Sequence, residues 1–182
     1  MISGPSGAGK GTVIARVLES LDGLALSVSA TTRPPRPGEV DGVQYHFLLR
    51  DEFERAVRED RFLEWVEYGG NLYGTLRSEI EERLALGDDV ILEIELQGAR
   101  AVRRALPEAS SIFIVPPSFA ELVARLRGRG TESEEAIATR LRIAQDEVAA
   151  AKEFDHVVIN DEAGKAAREV AELIRARRRA GK

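Results

Sequence analysis

The chain has 182 residues, 43% hydrophobic and 31% charged, with a net charge of −5; this is the size and balance of one globular domain with room for a mobile insert, and it leaves too little chain for two full domains. No apolar run approaches the ~20 residues of a membrane span, no secretory leader precedes the glycine-rich start, and the lack of cysteine excludes disulfides, thiol nucleophiles and cysteine metal sites, leaving His46 and His156 as the imidazoles. A cytoplasmic location is expected, and the acidic balance argues against nucleic acid as a partner, although 22 of the 26 basic residues are arginine, the side chain suited to bidentate phosphate contacts.

Apolar spacing switches repeatedly between two and about 3.6 residues, which predicts an α/β chain. Strands are expected at Leu24–Ser29, Gln44–Leu49, Phe62–Tyr68, Asp89–Glu95, Ser111–Val115 and His156–Ile159. Helices are expected at Lys10–Leu21, Asp51–Asp60, Thr75–Leu86, Gly98–Leu106, Ser118–Arg127, Glu132–Phe154 and Asp161–Ala180. Capping boxes mark three starts, Ser118 with Glu121, Thr131 with Glu134 and, more loosely, Asp51 with Glu54. Ala30 to Gly42, A-T-T-R-P-P-R-P-G-E-V-D-G, is too rich in proline for a helix or an inner strand, and the short strands after it read as a small mixed-sheet insert ending near Gly74. Arg125 to Thr131, R-L-R-G-R-G-T, reads as a hinged basic flap between two helices, whereas the basic tail from Arg175 suits a solvated helix C-terminus.

Gly4 to Thr12 read G-P-S-G-A-G-K-G-T and open a helix whose apolar positions Val13, Ile14, Val17, Leu18 and Leu21 recur at helical spacing. This is the pattern of a phosphate-binding loop: the glycines of the run Gly4, Pro5, Ser6, Gly7, Ala8 and Gly9 let the loop's backbone N–H groups turn toward an anion, the helix N-terminus adds partial positive charge, and Lys10 reaches the outer phosphates. Gly11 stands where a hydroxyl residue usually follows the lysine, so Thr12 carries the hydroxyl. Such a loop should follow a central parallel strand, yet only Met1, Ile2 and Ser3 precede Gly4; the expectation is an upstream natural start or a short central strand tolerated at a cost in stability.

Five further motifs follow in order: S-x-T-T-R-x-x-R-x-G-E from Ser29, Tyr45, E-x-x-x-x-x-G-N-x-Y-G from Glu64, E-L-Q-G from Glu95, and G-R-G-T-E from Gly128. Together with the phosphate loop they make the chain resemble guanylate kinases over essentially its whole length. The resemblance implies a P-loop NTPase parallel-sheet core (1–29, 75–124 and 149–182), a small mixed-sheet GMP-binding insert (30–74) and a helical lid (125–148). It implies Mg²⁺-dependent transfer of the ATP γ-phosphoryl group to GMP, and to dGMP, within purine nucleotide metabolism.

The residues suit those roles chemically. Guanine presents N–H donors beside a carbonyl acceptor, so a carboxylate with hydroxyl donors would read it; Glu64, Ser29 and Thr75 fill those places by resemblance, although Leu63, Trp65 and Val66 around Glu64 would by themselves turn it outward. Adenine would leave the same groups unpaired. Arg33 and Arg36, separated by two prolines, would clamp the GMP phosphate with Tyr45 and Tyr73. Glu93 and Glu95 share one face of an otherwise apolar strand, and Glu95, where the family more often has Asp, is expected to meet GMP or a water on the metal. The metal partners expected are Thr12 and Glu95, through water. Arg125, Arg129 and Arg140 match lid arginines at the ATP phosphates, and Asn160 with Asp161 matches the loop near adenine.

An ionised GMP phosphate is already a nucleophile, so the chemistry needs positioning and charge neutralisation by Lys10, Arg33, Arg129 and Arg140, and closure of insert and lid to exclude water. Two alternatives share the loop: a kinase for another nucleoside monophosphate, which would need different base readers, and a non-catalytic guanylate-kinase-like interaction module, which typically has a degraded loop. ATP and GMP are the expected partners, without membrane or nucleic acid; the sequence does not set the oligomeric state.

Overall fold

The computed structural model describes residues 1–127 and 134–180, and it divides into two compact units. The first holds Met1–Asp22, Glu93–Leu96 and the described residues from Ser110 onward; the second holds Gly23–Leu92 and Gln97–Ala109.

In the first unit, β1 (Ile2–Ser3), β8 (Ile112–Val115) and β9 (His156–Ile159) form a parallel sheet in the order β1-β8-β9. Ile2 pairs with Ile112, and Ile112 through Val115 pair with His156 through Ile159. On the other edge of β1, Ile2 also bridges to Glu93, and the Ile94 N–H donates to the Ile2 carbonyl at 3.2 Å. The two-residue β1 is therefore paired on both sides. Helix α1 (Lys10–Ser20) buries Val13, Ile14 and Val17 and packs on α7 (Ala163–Ala180), which buries Ala166, Ala167, Val170 and Ala171. The four apolar residues of β8 are a continuous run, as a strand covered on both faces requires. Helices α5 (Phe119–Arg127) and α6 (Glu134–Ala149) meet through Leu122, Leu126, Leu141 and Ala144. A single 3₁₀ turn, Ala150–Glu153, ends the long helix expected to Phe154.

In the second unit, β2 (Leu24–Leu26) pairs in parallel with β7 (Asp89–Ile91). A mixed four-stranded sheet runs β4-β3-β6-β5, from β3 (Ala30–Thr31), β4 (His46–Phe47), β5 (Phe62–Tyr68) and β6 (Asn71–Leu76). The expected insert, 30–74, lies within this unit. Gly69 and Gly70, at φ 59° and 78°, form the two-residue turn of the β5–β6 hairpin, where positive φ at both central positions matches the twist of the strands. Helices α2 (Arg50–Arg58) and α3 (Arg77–Ala85) flank the sheet in sequence, and α4 (Leu96–Ala105) follows β7. The core here is Ala30, Phe53, Ala56, Phe62 and Leu72, with the Phe53 and Phe62 rings stacked at 4.3 Å.

Several expectations change, among them the strands expected over Leu24–Ser29 and Gln44–Leu49, which narrow to Leu24–Leu26 and His46–Phe47. The strand expected over 89–95 is regular only to Ile91, beyond which Glu93 makes an isolated parallel bridge to Ile2 of β1. The helix expected from Thr75 begins at Arg77, because Thr75 belongs to β6. At α2 the carboxylate that reaches back is Glu52, accepting the Leu49 N–H at 2.8 Å, while Glu54 pairs with Arg50 at 3.0 Å. The Ser118 hydroxyl does cap α5, accepting the Glu121 N–H at 3.1 Å; Thr131 lies outside the described residues.

Candidate active site

The loop from Gly4 to Gly9 joins β1 to α1. Gly4 has φ 149°, and a Cβ there would overlap the Ile114 carbonyl oxygen, so no other residue fits this approach to β8. Gly9 begins α1 in a left-handed conformation, without a side-chain cap and with no acidic residue in the first turn. The first helical N–H groups are thus left to an anion, and the dipole favours one. Lys10 Nζ donates to the Gly4 carbonyl at 2.6 Å, which lays the ammonium across the loop. Gly11 and Thr12 are exposed on the first turn.

The carbonyl side of the loop is held from below. Asn160, 3% exposed at the end of β9, donates its amide to the Ala8 carbonyl at 2.7 Å. Arg125 on α5 donates to the Asn160 carbonyl at 3.1 Å, with its Nε on Glu121 at 3.0 Å. Both residues were expected at ATP, and the structure places both against the loop. Arg129 lies outside the described residues, as does the side chain of Arg140.

Acidic groups gather near Lys10. Leu92 and Ile94 are buried, while Glu93 is partly buried and Glu95 exposed, so the two carboxylates alternate with the core residues as expected. Burial pushes the Glu93 carboxyl up, Lys10 pulls it down and Glu95 pushes it up again. A residue without a sequence signal joins them: Glu147 of α6, 8% exposed. Its carboxyl is pushed up to about 7 by burial and by Glu95, against the attraction of Lys10 and of the Ser6 N–H. On a helix rich in charged residues, nothing in the sequence separates it from its neighbours. The donor set, carboxylates and the Thr12 hydroxyl, suits a hard oxygen-seeking cation such as Mg²⁺, which takes one or two protein oxygens beside substrate phosphates.

The second unit holds another cationic group. Arg33 donates to Glu39 at 2.9 Å and to the Pro34 carbonyl at 2.7 Å, and its guanidinium lies 5.4 Å from the centre of the Tyr45 ring. The Tyr45 and Tyr73 rings meet edge to face at 6.1 Å. Glu39 also accepts the Arg36 N–H at 2.6 Å, so one carboxylate ties together both ends of the Arg-Pro-Pro-Arg turn. The Arg33 hydrogen bond, then the Arg36 N–H, holds the Glu39 carboxyl below its ordinary value. Glu39 stands in the quoted motif, but its position between the two arginines is visible only in the fold.

Opposite β3 lies a polar pair. Glu64 and Thr75 face each other across β5 and β6, 6% and 0% exposed, and the Thr75 hydroxyl donates to Glu64 Oε1 at 2.7 Å. A register irregularity between Phe62 and Glu64 lets the carboxylate turn inward while Trp65 is exposed. Burial raises the Glu64 carboxyl above its ordinary value, with the Thr75 hydrogen bond opposing. Since Ala30 pairs with Gly74, one further antiparallel step brings Ser29 into the row of Thr75.

A family model described as Guanylate kinase matches residues 1–177. The chain is 58% identical to the guanylate kinase of Rubrobacter xylanophilus over 175 residues, 96% of this chain and 92% of the relative. It is 56% identical to that of Synechococcus elongatus over 162 residues, 89% of this chain and 88% of the relative. A crystal structure of guanylate kinase from Anaplasma phagocytophilum matches with a TM-score of 0.78 at 33% identity, over 96% of this chain and 82% of that one. Sequence and fold agree over nearly the whole length, and the chain belongs to the guanylate kinase family.

Proposed function

We propose that this protein transfers the γ-phosphoryl group of ATP to GMP, giving ADP and GDP, with Glu64 and Thr75 as the groups that select guanine. The observation that carries the assignment of the base is the buried Glu64–Thr75 pair. A carboxylate that is kept desolvated and holds one hydroxyl donor retains acceptor capacity for the N–H edge of guanine. Adenine would bring an acceptor to an acceptor there and leave a buried group unpaired. Ser29, in the row of Thr75, supplies a hydroxyl for the base.

Arg33, Arg36, Tyr45 and Tyr73 bind the GMP phosphate and fix it as the nucleophile. Glu39 preorganises Arg33 by hydrogen bonding, so less side-chain freedom is lost when the phosphate arrives. The Gly4–Thr12 loop and Lys10 bind the donor phosphates, and Arg129 and Arg140 add positive charge for the transferring group. Arg125 and Asn160 act on ATP by holding the loop in shape. Mg²⁺, carried by Thr12 and Glu95 through water, would supply charge neutralisation on the donor phosphates. The deoxyribose analogue dGMP presents the same base and phosphate and is accepted as well.

A coupled assay of ADP release with ATP and each of GMP, AMP, CMP and UMP in turn tests the reading. Turnover with GMP well above the other three is expected; comparable turnover with AMP overturns the assignment of the base-reading pair. Lys10→Ala is expected to nearly abolish transfer with GMP, and an active variant would mean that the loop does not bind the donor.

A further inference from the structure

The reaction as derived above uses neither imidazole, yet His46 of β4 stands behind the phosphate-binding face of the second unit. Its neighbours Tyr45 and Phe47 both lie against Arg33, whose guanidinium carbon is 5.4 Å from the centre of the Tyr45 ring and 5.8 Å from that of Phe47. Side chains alternate along a strand, so His46 turns to the opposite face, where its Nε2 donates to Glu79 Oε1 at 2.8 Å. A carboxylate can only accept, which puts the proton on Nε2. Glu79 sits in the first turn of α3, where the helix dipole favours an anion, and α3 begins two residues after Thr75 of β6. The backbone of β4 is held by few bonds. It is a two-residue edge strand of the β4-β3-β6-β5 sheet. The His46 and Leu48 N–H groups donate to the Ser29 and Thr31 carbonyls at 2.9 Å each, and the Phe47 N–H donates to Asp41 at 2.8 Å. With so short a ladder, side-chain contacts decide where the strand sits.

We infer that His46 is a positioning residue for the GMP phosphate: anchored to Glu79 behind β4, it holds the Tyr45 and Phe47 rings against Arg33, so that guanidinium and phenol are in place before the phosphate arrives. The inference rests on the reading of Arg33 and Tyr45 as partners of that phosphate. Because α3 follows directly on β6, the same contact ties the edge strand beside the phosphate to the strand that carries Thr75. Without the anchor, the ligand itself must order Tyr45 and Arg33, and that ordering is subtracted from its affinity.

Calorimetric titration of His46→Leu is expected to show about three- to tenfold weaker GMP binding, the scale of one net hydrogen bond, with ATP affinity unchanged and the loss appearing in KM for GMP rather than in kcat. His46→Gln, whose amide nitrogen can donate to Glu79 in place of Nε2, should recover most of the affinity; a histidine that attracted the phosphate by its own charge would not be replaced by an amide, so failure of the glutamine to recover overturns the inference, as does GMP affinity unaltered in His46→Leu. Should His46→Leu not fold, Glu79→Leu carries the test from the other end of the contact. A carboxylate acting only through its field would on removal strengthen binding of an anion, whereas loss of the anchor weakens it; tighter or unchanged GMP binding in Glu79→Leu overturns the proposal. The variant with both leucines should bind GMP no more weakly than either single one, and additive losses would show that the two side chains do not act as a pair. Failure of the phosphate-site reading is distinguishable, since Arg33→Ala would then still bind GMP normally; loss of GMP binding in Arg33→Ala together with an unaltered His46→Leu defeats this inference alone.

Discussion

At the scale of single residues, Glu64 combines two opposing demands. Burial raises its pKa while Thr75 resists the change, yet only the ionised form can accept N–H donors with both oxygens. Acidification through the raised pKa therefore protonates the carboxyl and weakens GMP binding at a pH above the ordinary carboxylate value of 4.5. Glu64→Gln does not titrate, and its amide meets guanine with donors where acceptors are needed; it should bind GMP about 10- to 100-fold more weakly at neutral pH. The ratio between the two proteins, which cancels titration of GMP itself, should shrink as pH falls. A ratio constant with pH would show that Glu64 does not meet the base as an anion. Stability runs the other way: the native state holds this proton more tightly than the unfolded chain, so the charge penalty is present above the native pKa and disappears below the unfolded one. The ligand-free glutamine variant should therefore melt above the unaltered protein at neutral pH, and the gain should fade on acidification. At this scale the sequence singles out Lys10, Arg33, Arg36, Tyr45 and Tyr73 as candidates, because they stand in spaced motifs. The inward turn of Glu64 was not, since the alternation of Leu63 and Trp65 points it outward and a local register irregularity decides otherwise. Glu147 carried no signal, because its partners are distant in sequence.

Among the elements, β5 and β6 hold the Glu64–Thr75 pair, and their footing is aromatic. Phe53 of α2, fully buried, stacks on Phe62 at the start of β5 and shares a core with Ala30 of β3 and Leu72 of β6. Phe53→Ala should destabilise the protein by ~3–5 kcal/mol, through lost burial and the cavity left behind, as measured by denaturant unfolding. Its effect on catalysis should fall on GMP, because Phe62 lies two residues from Glu64; a variant that loses ATP affinity and keeps GMP affinity would contradict that link. Regular periodicity made β5, β9 and most helices readable within a few residues of their ends. Strand β6 was hidden, because Gly-Asn-Leu-Tyr-Gly reads as a turn-rich segment and only pairing with both β3 and β5 makes it a strand. Two-residue strands such as β1 and β3 have no period to detect, and they exist because their neighbours complete the ladder.

For the whole molecule, a net charge of −5 works against two anionic substrates, so affinity must come from local cationic groups that overcome the general field. The groups proposed for them are divided between the units, with the loop and Lys10 in the first and the cations Arg33 and Arg36, beside the phenols of Tyr45 and Tyr73, in the second. Each substrate should therefore protect its own part of the chain. GMP alone should slow amide hydrogen exchange in β3, β5 and β6, and ATP alone should slow it over residues 4–12, because a ligand suppresses the openings that expose the groups it binds. Either ligand at 100 times its dissociation constant adds about 2.7 kcal/mol, and for a chain of this size each kcal/mol raises the melting temperature by about 2–4 °C. AMP at the same concentration as GMP should produce neither the protection in β5 and β6 nor the thermal shift. If GMP instead protected the loop and left β5 and β6 exchanging freely, the division of labour drawn from Glu64, Thr75 and the two arginines would be wrong, whatever the rate of phosphoryl transfer.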